Sequence, residues 1–133
     1  LLAILATLSL RAFGATPEGI WAARSPNFGE KLIGKVKITI IQGNLVGELI
    51  EIYPMSKDAK RFCWRNKKIE TGPVMMCDYH LSNGKWVGGK IYESSTGKVY
   101  PSEIKVSPEG KRLYVKGTSG PFSETVVWDR LDW

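Results

Sequence analysis

The sequence predicts an all-β chain that closes into an eight-stranded antiparallel up-and-down barrel. Two observations predict this fold. Short segments with apolar residues at every second position recur along the chain, and turns that contain Gly, Pro, Asn or Ser separate them. A meander of short strands has two exposed edges unless it closes on itself, and closure into a barrel removes both edges.

The clearest strand covers residues 34–42, where Val36, Ile38 and Ile40 alternate with two lysines and a threonine. Alternation with a period of two is typical of a strand with one buried face. Residues 42–44, Gln-Gly-Asn, form a tight-turn signal after it. The pattern therefore predicts a hairpin whose return strand follows directly.

We expect this return strand at 45–53, with Val46, Ile50 and Ile52 on its buried face, and a first strand near 18–24. The remaining strands are predicted at 74–81, 85–93, 98–106, 111–117 and 124–131. The connecting turns are predicted at 82–84, 94–97, 107–110 and 118–121. A barrel of about eight strands has room for packed side chains or for one small ligand.

Composition limits the chain to one globular domain. It has 133 residues, 43% hydrophobic and 24% charged, which is typical of a folded domain and not of a disordered chain. The net charge is +6 and the pI is about 9.4. A positive net charge allows binding to acidic partners. We interpret the positive net charge as that of ordinary surface lysines on an exported protein, and we expect no nucleic-acid partner.

The first residues have the pattern of a secretory signal peptide. Residues 1–10 are mostly apolar, and small residues follow at Ala12 and Gly14, which favours cleavage after Gly14. We therefore interpret 1–14 as a signal-peptide remnant and 15–133 as a single domain, periplasmic or secreted. The apolar run is shorter than the about 20 residues that span a bilayer, so no integral membrane span is expected. The alternative is an amphipathic or buried N-terminal helix.

Cys63 and Cys77 are the two cysteines of the chain. In an oxidising compartment they are expected to form one disulfide, which adds roughly 3 kcal/mol in the chain-entropy model. His80 is the single histidine. One histidine and two separated cysteines make no ligand cluster, so the sequence predicts neither a metal site nor a cofactor.

Residues 53–73 interrupt the strand pattern. Ser56 is a possible cap for one short helix that runs through Phe62. The basic side chains of this loop are Lys57, Lys60, Arg61, Arg65, Lys67 and Lys68. A basic loop with aromatic residues can bind an anionic lipid or nucleic acid. The alternative, which we favour, is a solvated loop whose Phe62 and Trp64 cover one barrel end.

No group of residues predicts catalysis. His80 has no Ser or Cys partner nearby, and the spacing of the carboxylates does not indicate an acid–base pair. Residues 95–98, Ser-Thr-Gly-Lys, lack the earlier glycine of a phosphate-binding loop and precede a strand. We therefore expect a protein that is not an enzyme.

Taken in order, the motifs resemble a bacterial family. They are Gly-Ile-Trp at 19–21, the segments 43–52, 86–100 and 113–117, and Trp-Asp-Arg at 128–130. The pattern resembles a family of small exported bacterial proteins with no assigned activity, over about residues 16–130. Glu93-Ser94 stands where that family usually has Asp-Pro, and 54–77 departs from its common pattern.

Gly19, Trp21 and Arg130 also resemble the closure motif of lipocalins and related calycins. The resemblance implies a lipocalin-like barrel in which the Trp21 indole closes one end and the Arg130 guanidinium lies over its ring. Such a cation–π pair contributes about 0.5 to 2 kcal/mol. A glycine two residues before the tryptophan lets the backbone pass closely.

The resemblance implies a carrier, monomeric or weakly dimeric, that holds a small hydrophobic ligand, lipid or fatty-acid-like, in its lumen. By strand parity, the candidate lumen residues are Trp86, Tyr92, Tyr100, Ile104 and Val106, with Tyr53, Leu49 and Met75 as weaker candidates. The alternative is a filled barrel that acts as an interaction module and binds an acidic surface or host molecule through the basic loop 57–68.

Overall fold

A computed structural model of the chain describes residues 15–25, 31–52, 74–93 and 98–132, and the structural statements below concern these residues. They form a closed antiparallel barrel in which every strand pairs with its neighbours in sequence and the first pairs with the last. The strands are β1 (Gly19–Ser25), β2 (Lys31–Ile41), β3 (Asn44–Ile52), β4 (Val74–Ser82), β5 (Lys85–Glu93), β6 (Lys98–Val106), β7 (Arg112–Ser119) and β8 (Phe122–Arg130). The predicted eight-stranded barrel is confirmed.

Most strand bounds lie within three residues of their predicted positions. The largest difference is at the start of β2, which begins at Lys31 and not at residue 34, and in the last hairpin β7 and β8 continue to Ser119 and Phe122 and leave a two-residue turn. Gly120 has a φ of 59°, a conformation that glycine adopts without the steric cost of a Cβ. The predicted helix from Ser56 and the segment 1–14 lie outside the described residues.

The buried residues of β3 differ in part from the predicted ones. Leu45 and Leu49 are buried at 0% and 5% exposure, whereas Ile50 is 44% exposed. Leu49 pairs with Val36, but the pairing shifts by one residue at the next position, which leaves Ile50 as the extra residue of a bulge. The predicted burial is therefore confirmed at Val46, which is 2% exposed, and wrong at Ile50, because the inner residues of β3 are the odd-numbered ones that pair with Val36 and its neighbours on the same face.

The two ends of the barrel differ. At one end, here called the closed end, β1 begins, β8 ends and the β6–β7 turn lies beside the end of β8. At the other, here called the Phe122 end, β1 ends at Ser25 and the β7–β8 hairpin turns at Gly120. β3 also ends, and β4 begins, at the Phe122 end.

Trp21 fills the closed end. Its side chain is fully buried, and its Nε1 donates a hydrogen bond to the Pro17 carbonyl oxygen at 2.8 Å. Trp21 is also the register partner of Arg130 across the β1–β8 seam. A buried indole with a satisfied N–H is a stable plug, because it adds a large apolar area without leaving a polar atom unpaired.

Candidate functional site

Four of the predicted lumen residues share the inner face of the sheet. Ile104 pairs with Trp86, so these two side chains lie on the same face, and both are buried. Tyr100 and Val106 lie on this face too, because they are an even number of residues from Ile104 in β6. Both are half-buried.

Tyr92 is half-buried and packs against the core cluster, but its register places it on the opposite face of the sheet from Trp86. The β5–β6 register shifts between Trp86 and Gly89, at a bulge where Gly88 has a φ of 72°. After the bulge Tyr92 pairs with Val99, which is 45% exposed. Trp86 and Tyr92 therefore do not share a face as expected, because one inserted residue reverses the orientation of every later side chain in the strand.

Of the three weaker lumen candidates, two are buried in the core and one is not described. Leu49 and Met75 are both buried at 5% exposure and belong to the same core cluster. Tyr53 lies outside the described residues. The sequence missed Met76, a fully buried residue whose register partners are Gly47 and Ile91.

Two layers of bulky side chains fill the part of the lumen nearer the closed end. Register partners across β5 to β8 define one layer as Trp86, Ile104, Val115 and Val126. The next layer toward the closed end consists of Val106, Leu113 and Trp128. Most of these side chains are almost fully buried, so this half of the barrel is a packed core.

The next layer toward the Phe122 end is made of small residues. Gly89 pairs with Ser102, Ser102 with Gly117, and Gly117 with Glu124. The Tyr79 ring lies against Gly89, in the space that a side chain would take there. At Gly117, by contrast, an added Cβ would have no described atom within 4 Å. Within the described residues, the lumen wall is therefore covered at Gly89 and open at Gly117.

Two buried hydroxyl groups lie in this layer. Among the described residues, Tyr79 Oη and Ser102 Oγ are the buried side-chain polar atoms with no hydrogen-bond partner. Tyr79 is 0% exposed and Ser102 is 4% exposed. Burial raises the pKa of the Tyr79 phenol far above its ordinary value, and the neighbouring Ser102 hydroxyl offsets only part of this shift. The phenol is therefore neutral at physiological pH.

Sequence analysis missed this small-residue layer. Tyr79, Ser102 and Gly117 are far apart in sequence, and each is an ordinary residue for a strand or a turn. Their relation depends on the register of four strands, including the bulge at Gly88. The one local signal is a serine at an inner position of β6, between Tyr100 and Ile104.

The other predicted sites have little described structure. Cys77 is buried in β4, but Cys63 and the basic loop 57–68 lie outside the described residues, so the disulfide stays a prediction. His80 is exposed and lies against Gly88. Within the described ranges, no three His, Cys, Asp or Glu side chains are grouped so that they could hold a metal ion. Those ranges also contain no helix with the length and apolarity needed to cross a membrane.

Comparisons with known proteins support the fold and identify the family. The structure is similar to that of protein HP1028 from the human pathogen Helicobacter pylori, which is described as belonging to the lipocalin family. The TM-score is 0.66 at 21% sequence identity, over 89% of this chain and 84% of that one. None of the curated proteins matches the chain.

The family comparison covers most of the barrel. The profile of a family described as "Uncharacterized protein conserved in bacteria (DUF2147)" matches residues 19–130, which runs from the first residue of β1 to the last residue of β8. The expected resemblance to a bacterial family without an assigned activity is confirmed. The chain is therefore a member of this bacterial family, with a lipocalin-like barrel as its fold.

Proposed function

We propose that this protein is an exported binding protein that holds a small, mainly apolar ligand in the half of the lumen nearer the Phe122 end. One observation carries the proposal: among the described residues, none covers the inner wall at Gly117, directly beside the buried hydroxyl of Ser102. Ligand sites are typically apolar cavities with a few polar groups that orient the ligand. The proposal makes the protein a binder and not an enzyme.

The layers of the barrel favour entry from the Phe122 end. Trp21 blocks the closed end, and the bulky layer that contains Trp86 and Ile104 lies between the closed end and the small-residue layer. Toward the Phe122 end the side chains become more accessible, with Glu124 exposed and Phe122 74% exposed. Each methylene that a ligand buries there contributes about 0.8 kcal/mol, so a short alkyl chain is sufficient for measurable binding.

A pair of bulky substitutions tests the location of the site. Gly117→Phe places a ring on the inner face beside Ser102, whereas Thr125→Phe places the same ring on the outer face, where Thr125 is exposed and pairs with Lys116. Binding of an uncharged apolar dye such as Nile red is measured by fluorescence titration. We expect Gly117→Phe to weaken binding at least 10-fold and Thr125→Phe to leave it unchanged.

Two results would contradict lumen binding. In the first, the wild-type protein binds no dye and carries no guest molecule in native mass spectrometry. In the second, the dye binds equally well to the wild-type protein and to folded Gly117→Phe. Thermal unfolding of both variants shows whether a loss of binding comes from a loss of structure.

Export is a separate part of the proposal, and it is supported by the apolar stretch 1–10 with Ala12 and Gly14 after it. Mass spectrometry of the N-terminus in cell fractions tests it. We expect a mature chain that begins at Ala15, in the periplasm or the medium. A chain that keeps residues 1–14 and stays with the cytoplasm would contradict export.

A further inference from the structure

The Tyr79 and Ser102 hydroxyls have an unusual place in this barrel. Folded proteins pair nearly all buried polar groups, because an unpaired one is costly. Here the two hydroxyls lie near each other in the same layer of the lumen, and within the described structure neither makes a hydrogen bond of normal geometry. Two neighbouring buried hydroxyls without a well-formed hydrogen bond are typical of a position where a further polar atom can bind.

The backbone register shows how the two groups meet. The Tyr79 ring crosses Gly89, and Gly89 is the register partner of Ser102 on the next strand. The aromatic side chain therefore extends from β4 toward β6. On the other side of Ser102 lies Gly117, where the wall is open. A ligand atom that reaches Ser102 can approach it from the Gly117 side.

The charged residues around this layer do not suit an anion. The lysines of the neighbouring strands, Lys90, Lys105 and Lys116, alternate onto the outer face by register. The charged residue of the layer itself is the carboxylate Glu124. The lysine on the inner face of β6 is Lys98, which pairs with Glu93 at the Phe122 end. An anion at Ser102 would lose its hydration and find no described cation beside it.

We propose, on the basis of the lumen site described above, that the inner end of the ligand is an uncharged hydrogen-bonding group that contacts both Tyr79 Oη and Ser102 Oγ. An alcohol or a primary amide has this chemistry, with its apolar chain directed toward the Phe122 end. A carboxylate ligand is excluded from this orientation and binds only with its charged group toward the Phe122 end.

The protonation state of Tyr79 fits this chemistry. Because burial raises the pKa of the phenol, Tyr79 keeps its proton and can donate a hydrogen bond, while Ser102 can donate or accept one. A ligand hydroxyl accepts a hydrogen bond from Tyr79 and donates one to Ser102. Both groups that lack partners then have one.

Three ligands with the same eight-carbon chain test the inference: 1-octanol, octanamide and octanoate. Binding to the whole protein is measured by calorimetry at a pH where octanoate is ionised. We expect 1-octanol and octanamide to bind at least 10-fold more tightly than octanoate, which corresponds to about 1.4 kcal/mol. Tyr79→Phe and Ser102→Ala should each remove most of this preference.

Tyr114→Phe is the matched control, because Tyr114 pairs with Lys105 and Val127 on the outer face and is 36% exposed. It should keep the wild-type preference. Octanoate that binds as tightly as 1-octanol would overturn the inference while lumen binding stands. An unchanged preference in folded Tyr79→Phe and Ser102→Ala would also overturn it, because the two hydroxyls would then bind only an internal water and not the ligand. If none of the three ligands binds, the proposed function itself fails.

Discussion

The guanidinium carbon of Arg130 lies 4.4 Å from the centroid of the Trp21 ring, and three nitrogens of the same guanidinium donate hydrogen bonds to backbone carbonyls. Nη2 donates to Thr16 at 2.6 Å, Nη1 to Glu18 at 2.7 Å and Nε to Gly110 at 2.6 Å. One side chain thus joins the segment before β1, the β6–β7 turn and the end of β8. It connects the first strand to the last, as closure of the barrel requires.

Arg130→Lys should destabilise the barrel strongly. Lysine keeps the charge but cannot reach three carbonyls in a planar fork, and the side chain is only 8% exposed, so solvent does not replace the lost contacts. We expect a loss of about 3 kcal/mol in the free energy of unfolding, measured in urea. Arg112→Lys, at an exposed position in β7, should change it by less than about 0.5 kcal/mol. Equal stability of the two variants would contradict a structural role for Arg130.

Gly19→Ala should destabilise the folded protein, whereas Gly117→Ala should not. Gly19 has a φ of 147°, and an added Cβ would collide with Arg130 Nη1 and lie 2.8 Å from Asp132 Oδ1. Gly117 has open space at the same position. We expect a loss of about 2 kcal/mol for Gly19→Ala and a gain of up to about 1 kcal/mol for Gly117→Ala, from chemical denaturation. The opposite order would show that the closed end is not tightly packed.

The raised pKa of Tyr79 predicts a loss of stability in alkali. The phenol is favoured in its protonated form by folding, so its contribution is complete below the unfolded pKa of about 10 and falls as the pH rises above it. Above about pH 10, the free energy of unfolding of the wild type should fall more steeply than that of Tyr79→Phe, by at most about 1.4 kcal/mol per pH unit. Tyr114→Phe should retain the wild-type slope. A shared slope for all three proteins would mean that Tyr79 titrates normally.

The predicted disulfide between Cys63 and Cys77 has its own test. Its reduction should lower the free energy of unfolding by roughly 3 kcal/mol, because the unfolded chain loses a constraint on its conformations. The double variant Cys63→Ser and Cys77→Ser should match the reduced wild type. Two free thiols in the native protein, counted by alkylation and mass spectrometry, would contradict the pairing.

The barrel could be predicted from the sequence because the patterns that indicate strands and turns lie within short segments. Alternation within each strand and glycine-containing turns predict strands 85–93 and 98–106 at their observed bounds. Trp21 and Arg130 were recognisable through the order of their motifs. The orientation of Ile50 was not predictable from alternation alone, because both faces of β3 carry apolar residues and the inner face is that of Leu45 and Leu49.

The candidate site was less predictable than the fold. Trp86, Tyr100, Ile104 and Val106 follow from parity within a strand, and parity fails after the bulge at Gly88. The proximity of Tyr79 to Ser102 depends on contacts across three strands and on the small size of Gly89 between them. Such a relation arises from register, which a single sequence does not determine.

The central claim is that a ligand binds in the lumen at the small-residue layer. Backbone NMR of the ¹⁵N-labelled protein during a titration with 1-octanol tests it most directly. We predict saturable shifts at the amides of Gly89, Ser102 and Gly117, with little change at Trp21 and Arg130. Shifts confined to outer-face positions such as Lys105 and Tyr114, or no saturable shift at all, would contradict the account.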